Sequence, residues 1–138
     1  MGGLVARWYG EREGGAALTR KLITIGTPHR GAMAAARQLV NGMEVGPVPL
    51  RRVLTRFARS LPSAHQLLPQ YACLETGNGL EPITAMPLPG VDPELLADGV
   101  AFHDALDAAP GVAQGLLEVI QIPALELVLA SPTAPIIL

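Results

Sequence analysis

The residues of this chain that could act as nucleophiles are few and stand in unfavourable contexts. A serine that attacks an ester needs a base oriented by a carboxylate, and in a nucleophile elbow it sits on a strained strand-to-helix turn. The serines are Ser60, Ser63 and Ser131, and none lies in a Gly-x-Ser-x-Gly pattern. We interpret Ser60 and Ser63 as helix-end residues. The sequence therefore predicts no nucleophile of its own.

The three histidines are the candidate bases. His29 follows a predicted strand, and functional residues concentrate at the carboxyl ends of strands in open α/β sheets, so catalysis competes there with a turn or pocket-wall role. His103 precedes Asp104 and Asp107, a base-plus-carboxylate pattern, but it lies in a predicted helix and is interpreted as a surface residue. His65 has no partner nearby in the sequence. This scattered spacing gives no metal-ligand set, and we expect neither metal nor cofactor.

The elements that position His29 are predicted by the start of the chain. Gly2 and Gly3 are small enough for close backbone approach. The Gly14-Gly15 pair ends a predicted helix, and residues 22–25 form a short β-branched run that predicts a buried strand. The apolar stripe of the helix is expected to pack on a sheet, with charged residues opposite: Leu4, Val5, Trp8 and Tyr9 against Arg7, Glu11 and Arg12. Helix, turn and strand make half of a βαβ unit.

Two motifs in this order carry a family resemblance. The small pair runs into Leu4-Val5-Ala6-Arg7, and the strand ends in Gly26-Thr27-Pro28-His29-Arg30-Gly31. Together they resemble the segment after the catalytic serine of lipase-like α/β-hydrolases, most closely the lecithin:cholesterol acyltransferase-like group. The resemblance covers about residues 1 to 70. It implies an α/β chain, namely a partial α/β-hydrolase fold with a post-elbow helix, a central parallel strand and a mostly helical cap or lid.

The resemblance also implies an activity and site positions. The complete protein would transfer or hydrolyse an acyl ester of a lipid, with release to water or to an alcohol acceptor. The family's Gly-His-Ser would precede Met1, so this chain is expected to be a fragment that is inactive alone. Met1 inherits the backbone position of the oxyanion hole, but a charged terminal amine at a fraying end is not expected to stabilise an oxyanion. Thr27, Pro28 and His29 correspond to a turn or pocket wall beside the site.

A cationic amphipathic helix is predicted over residues 50–61. Leu50, Val53, Leu54, Phe57 and Leu61 recur at helical spacing, and the charged residues between them are all arginines. The resemblance implies a lid helix that meets lipid, which gives as lipid-surface candidates Arg52, Arg56, Phe57 and Arg59. Such a helix suits an anionic membrane. An ordinary cap helix with solvated arginines is the alternative, and a non-catalytic lipid- or protein-binding remnant is the corresponding alternative function.

The later chain gives weaker signals. A Ser-x-x-Gln pattern at Ser63 predicts a capping box, and the Gly- and Pro-rich stretch over residues 75–93 predicts a loop. Asp92-Pro93 predicts a helix start, and a further helix is expected at about residues 100–108. The apolar tail predicts strands at residues 116–122 and 125–130, although a helix is an alternative for the first. It is too interrupted for a transmembrane helix.

Composition bounds the partners. The chain is 49% hydrophobic and 16% charged, which is more apolar than a free-standing domain of this size needs. A central strand without a neighbour would leave an open edge, so we expect the fragment to self-associate. Cys73, the lone cysteine, excludes an internal disulfide and leaves the redox compartment open. The net charge of -2 indicates no nucleic-acid partner.

Charge is divided sharply along the sequence. All 10 Lys and Arg lie at or before Arg59, and no base follows among the later acids. This pattern indicates either a basic surface for anionic lipid or two halves that neutralise each other within one fold. We predict three regions, namely a hydrolase core fragment at 1–42, a cap or lid at 43–110, and an apolar tail at 111–138.

Overall fold

The computed structural model describes residues 2–76, 79–109 and 119–122. Met1, Ser131 and the strand predicted at residues 125–130 lie outside this part of the chain. Five helices and four strands follow in chain order: α1 (Gly2–Arg12), β1 (Leu22–Ile25), α2 (Met33–Asn41), α3 (Val48–Arg59), α4 (Pro62–His65), β2 (Ala72–Thr76), β3 (Gly79–Pro82), α5 (Pro93–Asp107) and β4 (Val119–Ile122), with a 3-10 turn at Gly15–Ala17.

The described residues fall into two compact units. The first contains residues 2–29, 104–109 and 119–122, and the second contains residues 30–76 and 79–103. The first division lies at His29/Arg30. The domain boundaries proposed from the sequence, with a core fragment at 1–42, stay a prediction. The first unit is discontinuous in sequence, because the described residues of the second unit all lie between its parts.

The first unit contains the predicted helix and strand. The helix and its end are confirmed, since α1 stops at Arg12 and Gly14 turns the chain with a φ of 76°, a conformation that glycine adopts freely. The predicted faces of α1 were partly wrong. Leu4 is buried, but Val5 and Tyr9 are exposed, and Glu11 is buried because Arg7 Nε donates to its Oε1 at 2.7 Å. The buried carboxylate of Glu11 is thus paired with Arg7 on the face of α1 that was predicted to be exposed to solvent.

Strand β1 has the predicted bounds and a parallel partner. It pairs with β4 in register from Leu22 opposite Val119 to Ile25 opposite Ile122. The strand alternative for residues 116–122 is therefore confirmed over Val119–Ile122. The predicted burial of this strand was wrong, because only Thr24 is buried along β1, while Ile23 and Ile25 are exposed. Parallel sheets usually have both faces covered by other elements, so exposure of the face that carries Ile23 and Ile25 is unusual for a parallel pair.

The second unit has its own core, built from α2, the end of the α4 segment and the β2–β3 hairpin. Its buried cluster consists of Ala36, Leu39, Leu68, Cys73, Leu74 and Ile83. Two backbone hydrogen bonds lead into this core, from Ala32 N to Leu67 O at 2.8 Å and from Gln70 N to Arg30 O at 2.9 Å. Between them Gly31 has a φ of 78°, and a Cβ there would overlap the carbonyl of Leu68. Only glycine fits this approach.

Two predictions for the second unit were wrong. The stretch predicted as loop contains β3, which pairs antiparallel with β2 and has an irregularity between Ala72 and Leu74. The capping box is also absent, because α4 begins at Pro62 and its N-cap is Leu61 without a side-chain cap. A proline at the first helical position fixes the helix start one residue before the serine that the pattern favoured.

The helix start at Asp92 is confirmed. Asp92 Oδ1 accepts hydrogen bonds from the backbone N–H groups of Glu94 at 2.9 Å and Leu95 at 3.3 Å, and Pro93 begins the helix. The further helix expected at residues 100–108 is the continuation of the same element. No break separates the two because Gly99, which weakens the helical pattern, packs against the backbone of His65.

Candidate functional site

The turn after β1 brings together the two motifs at the start of the chain. His29 is buried, and its Nε2 lies 2.8 Å from Oγ1 of Thr24, which is buried on β1. Its backbone N–H donates to Thr27 O at 2.9 Å. Gly3 lies so close that a Cβ there would overlap the side chain of Thr27. The first turn of α1 therefore contacts Thr27, two residues after the end of β1, and both lie in the first unit.

This geometry makes His29 a residue that fastens the turn. Its ring contacts a buried hydroxyl five residues earlier, so the chain folds back onto β1. Both side chains of the pair are buried, and a substrate ester cannot reach the Thr24 hydroxyl without a rearrangement of the strand. Thr27 and Pro28 are partly exposed at the same carboxyl end. They are the members of this turn that could line a pocket.

The other two histidines are core residues. His103 was predicted on the surface, but it is 5% exposed because its Nε2 donates to Gln66 O at 2.7 Å. That bond occupies Nε2 of the ring, and Asp107 lies 3.4 Å from Arg7 Nη2. His65 is fully buried, its Nδ1 donates to Leu61 O at 3.0 Å, and its Nε2 accepts from Asp92 N at 3.2 Å. These partners assign the neutral tautomer protonated at Nδ1.

No catalytic serine is assembled in the described part of the chain. Ser60 caps the end of α3 and its Oγ donates to Phe57 O at 2.8 Å, whereas Ser63 lies in the short helix α4. Neither hydroxyl contacts a histidine. Within the same residues no group of His, Cys, Asp and Glu has the arrangement of a metal site. The described side chains thus supply no base-activated nucleophile.

The arginines of α3 have different surroundings. Arg59 donates from Nε to Leu39 O at 2.8 Å and from Nη2 to Val40 O at 3.0 Å, so it closes the carboxyl end of α2, where a cation also meets the negative end of the helix dipole. Arg51 donates to Gly46 O. Arg52 and Arg56 are exposed without such partners. Arg59 is therefore tied into the fold, whereas Arg52 and Arg56 remain lipid-surface candidates.

Beside Arg52 and Arg56 the helix presents apolar side chains to solvent. Val53 is 64% exposed and Phe57 is 61% exposed, Leu50 is also exposed, and no residue of α3 is fully buried. The spacing i, i+3 and i+7 places Leu50, Val53 and Phe57 in one row. We call this row the α3 stripe. It is flanked by Arg52 and Arg56, which lie one turn apart.

A groove of about 440 Å³ lies along the hairpin. Its lining is mostly apolar and includes Met33, Tyr71, Cys73, Glu75 and Leu80. Glu75 and Leu80 are directly opposite each other across β2 and β3, so they share one face of the hairpin. We call this the hairpin groove. Burial raises the pKa of the Cys73 thiol, which keeps it protonated and unreactive at neutral pH.

Reaction of Cys73 with a thiol-specific reagent should therefore be slow in the folded chain. Because a raised pKa lowers the thiolate fraction at any given pH and the sulfur is also buried, we expect labelling to be slower than in the urea-unfolded chain. The rise of rate with pH should also begin at higher pH than for the unfolded thiol. A chromogenic disulfide reagent measures both. Equal rates in the folded and unfolded chains would contradict this assignment.

Comparison with known proteins adds no relative, since no protein-family model, curated protein or solved structure matches the chain. Among the described helices, none is both long enough and apolar enough to cross a lipid bilayer.

Proposed function

We propose that this chain is part of a serine-dependent lipid acyltransferase or lipase/esterase, and that it supplies the helix and strand end beside the catalytic elbow together with a cap. The contact between Gly3 and Thr27 carries this proposal. An elbow helix must approach the strand end closely, and only small residues allow that approach. Here the glycine pair and the Gly26–His29 turn, which are separate in sequence, meet through that contact.

The topology around this contact supports the same function. Helix α1 precedes a strand with a parallel partner, and ligands of open α/β sheets bind outside the carboxyl ends of their strands. Thr27 and Pro28 stand at that end and would form the wall of an acyl pocket. His29 holds the turn through Thr24 rather than acting as a base. The acyl-enzyme serine and its base must then come from residues other than those described.

Two linked measurements test the proposal. The coding sequence just before the Met1 codon should contain an in-frame Gly-His-Ser, and the longer product should react with a serine-directed phosphonate at that serine. The 138-residue chain should neither turn over a short-chain activated ester nor be labelled. An in-frame stop codon directly before Met1, or stoichiometric labelling of Ser60 or Ser63, would overturn the proposal.

Binding to an anionic membrane surface is the second candidate function. The observation that favours it is the α3 stripe, whose exposed apolar side chains stand beside Arg52 and Arg56 with no acid on the helix. Interfacial helices bind through buried apolar area plus attraction of cations to acidic lipid. Arg59 takes no part, because the carbonyls of α2 already hold its guanidinium.

Reversing two charges on α3 should abolish this binding. Each arginine near an anionic surface contributes about 1 kcal/mol, so Arg52→Glu with Arg56→Glu should weaken binding to anionic vesicles by well over tenfold. Vesicle co-sedimentation at rising salt measures the effect. Arg37→Glu, an equally exposed arginine on α2, is the matched control and should bind like the parent chain. Equal binding to neutral vesicles, or none to either kind, would contradict this function.

A further inference from the structure

Two exposed apolar surfaces of the second unit have opposite charge. The α3 stripe carries Arg52 and Arg56 along its side, and α3 contains no acid. The hairpin groove carries Glu75 as the charged group of its lining. No lysine or arginine follows Arg59 in the sequence, so the chain that forms the hairpin and α5 is uniformly acidic. One surface is an apolar ridge bordered by Arg52 and by Arg56, which also lines a groove with Asp92 and Glu94, and the other is an apolar recess with an anionic border.

The groove has the dimensions of a site that takes up side chains. Its volume of about 440 Å³ falls within the range of pockets that bury a small ligand. Tyr71 and Leu80, which line it, are both exposed. An occupant must bring apolar groups to cover them and a cation to meet Glu75. An anionic membrane supplies the apolar groups, but Glu75 repels its negative charge.

We propose that the hairpin groove receives the α3 stripe of a second copy of this chain. Phe57 and Val53 of one copy enter the groove between Tyr71 and Leu80 of the other, and Arg52 or Arg56 pairs with Glu75 at its border. The interface joins two different surfaces of the same unit. If each of two copies places its α3 stripe in the hairpin groove of the other, they form a closed dimer. If the contacts are not reciprocal, successive copies form an open chain.

Charge exchange between the two surfaces tests the proposal without lipid. Sedimentation velocity should show concentration-dependent association of the parent chain that weakens as salt rises, because exposed charge pairs are screened. Arg52→Glu with Arg56→Glu places acid against acid, and Glu75→Arg places base against base. Each change alone should weaken association by at least about tenfold. A chain that carries all three substitutions should regain it, which also shows that the substitutions leave the fold intact.

Matched variants separate this interface from other routes to self-association. Arg37→Glu also replaces an arginine with an acid, but outside the α3 stripe, so the Arg37→Glu chain should associate like the parent chain. Ile25→Lys alters the exposed face of β1 and should also leave association unchanged. Loss of association in the Ile25→Lys chain would place the interface at β1 and overturn the proposal. The proposal is also overturned if the parent chain is monomeric or if its association does not depend on salt. The same holds if the triply substituted chain does not regain association.

Discussion

Replacing Gly31 with alanine is expected to cost about 2–6 kcal/mol, since the change combines a left-handed backbone strain of about 1–3 kcal/mol with forced overpacking of about 1–3 kcal/mol. The φ of 78° disfavours any side chain, and the new Cβ would overlap the Leu68 carbonyl. The backbone bonds on either side, at Ala32 and Gln70, leave the segment little room to shift. Urea unfolding followed by circular dichroism measures the loss.

Gly14→Ala is the matched control for Gly31. Gly14 has nearly the same φ, 76°, but no atom lies within 4 Å of the position that its Cβ would occupy. Its substitution should therefore cost only the conformational term, about 1–2 kcal/mol. Similar losses for the two variants would show that the approach of Gly31 to Leu68 adds nothing to stability.

Replacing His65 with alanine should destabilise the second unit by about 3 kcal/mol or more, because a buried ring is removed and its hydrogen-bond partners are left unsatisfied. The ring joins Leu61 O at the start of α4 to Asp92 N at the N-cap of α5. Loss of the second bond should loosen the first turn of α5. Native-state hydrogen exchange should then accelerate at the amides of Glu94 and Leu95, which Asp92 caps.

His65→Gln provides the comparison for that loss. Its side-chain amide retains a donor and an acceptor, so part of the stability and part of the exchange protection at α5 should return. If the alanine variant loses less than about 1 kcal/mol, or if exchange at α5 does not change, the histidine does not link these two helices.

The elements that the sequence predicted well are those set by local signals. Helical spacing with a glycine stop defines α1, a β-branched run between Gly26 and the preceding polar residues defines β1, and the Asp92-Pro93 pair defines the start of α5. Each signal acts within a few residues. The helix predicted over residues 50–61 is likewise present with the bounds Val48–Arg59, since it starts after the N-cap Pro47 and includes Pro49 in its first turn.

The features that were missed depend on partners distant in sequence. His103 is buried, and its ring donates a hydrogen bond to the carbonyl of Gln66. Glu11 is also buried, and its partner Arg7 donates a further hydrogen bond to Leu106 O. The hairpin was hidden because β3 begins with Gly79 and ends with Pro82, residues that normally mark turns, and pairing with β2 overrides those propensities. At the candidate site, the need for a small residue where α1 approaches the turn after β1 was foreseeable, but the contact between His29 and Thr24 was not, since no sequence pattern specifies it.

The discontinuous first unit has a consequence for synthesis on the ribosome. The described residues of the second unit have all emerged once His103 has left the exit tunnel, whereas β1 must wait for β4 before its ladder can form. The second unit can therefore fold first, as one continuous stretch, and shorten the span between the two strands. During that interval β1 exposes an unpaired edge together with Ile23 and Ile25. We expect this nascent strand to be where a chaperone engages the growing chain, and ribosome-bound chains halted before β4 to be captured more strongly than chains halted after it.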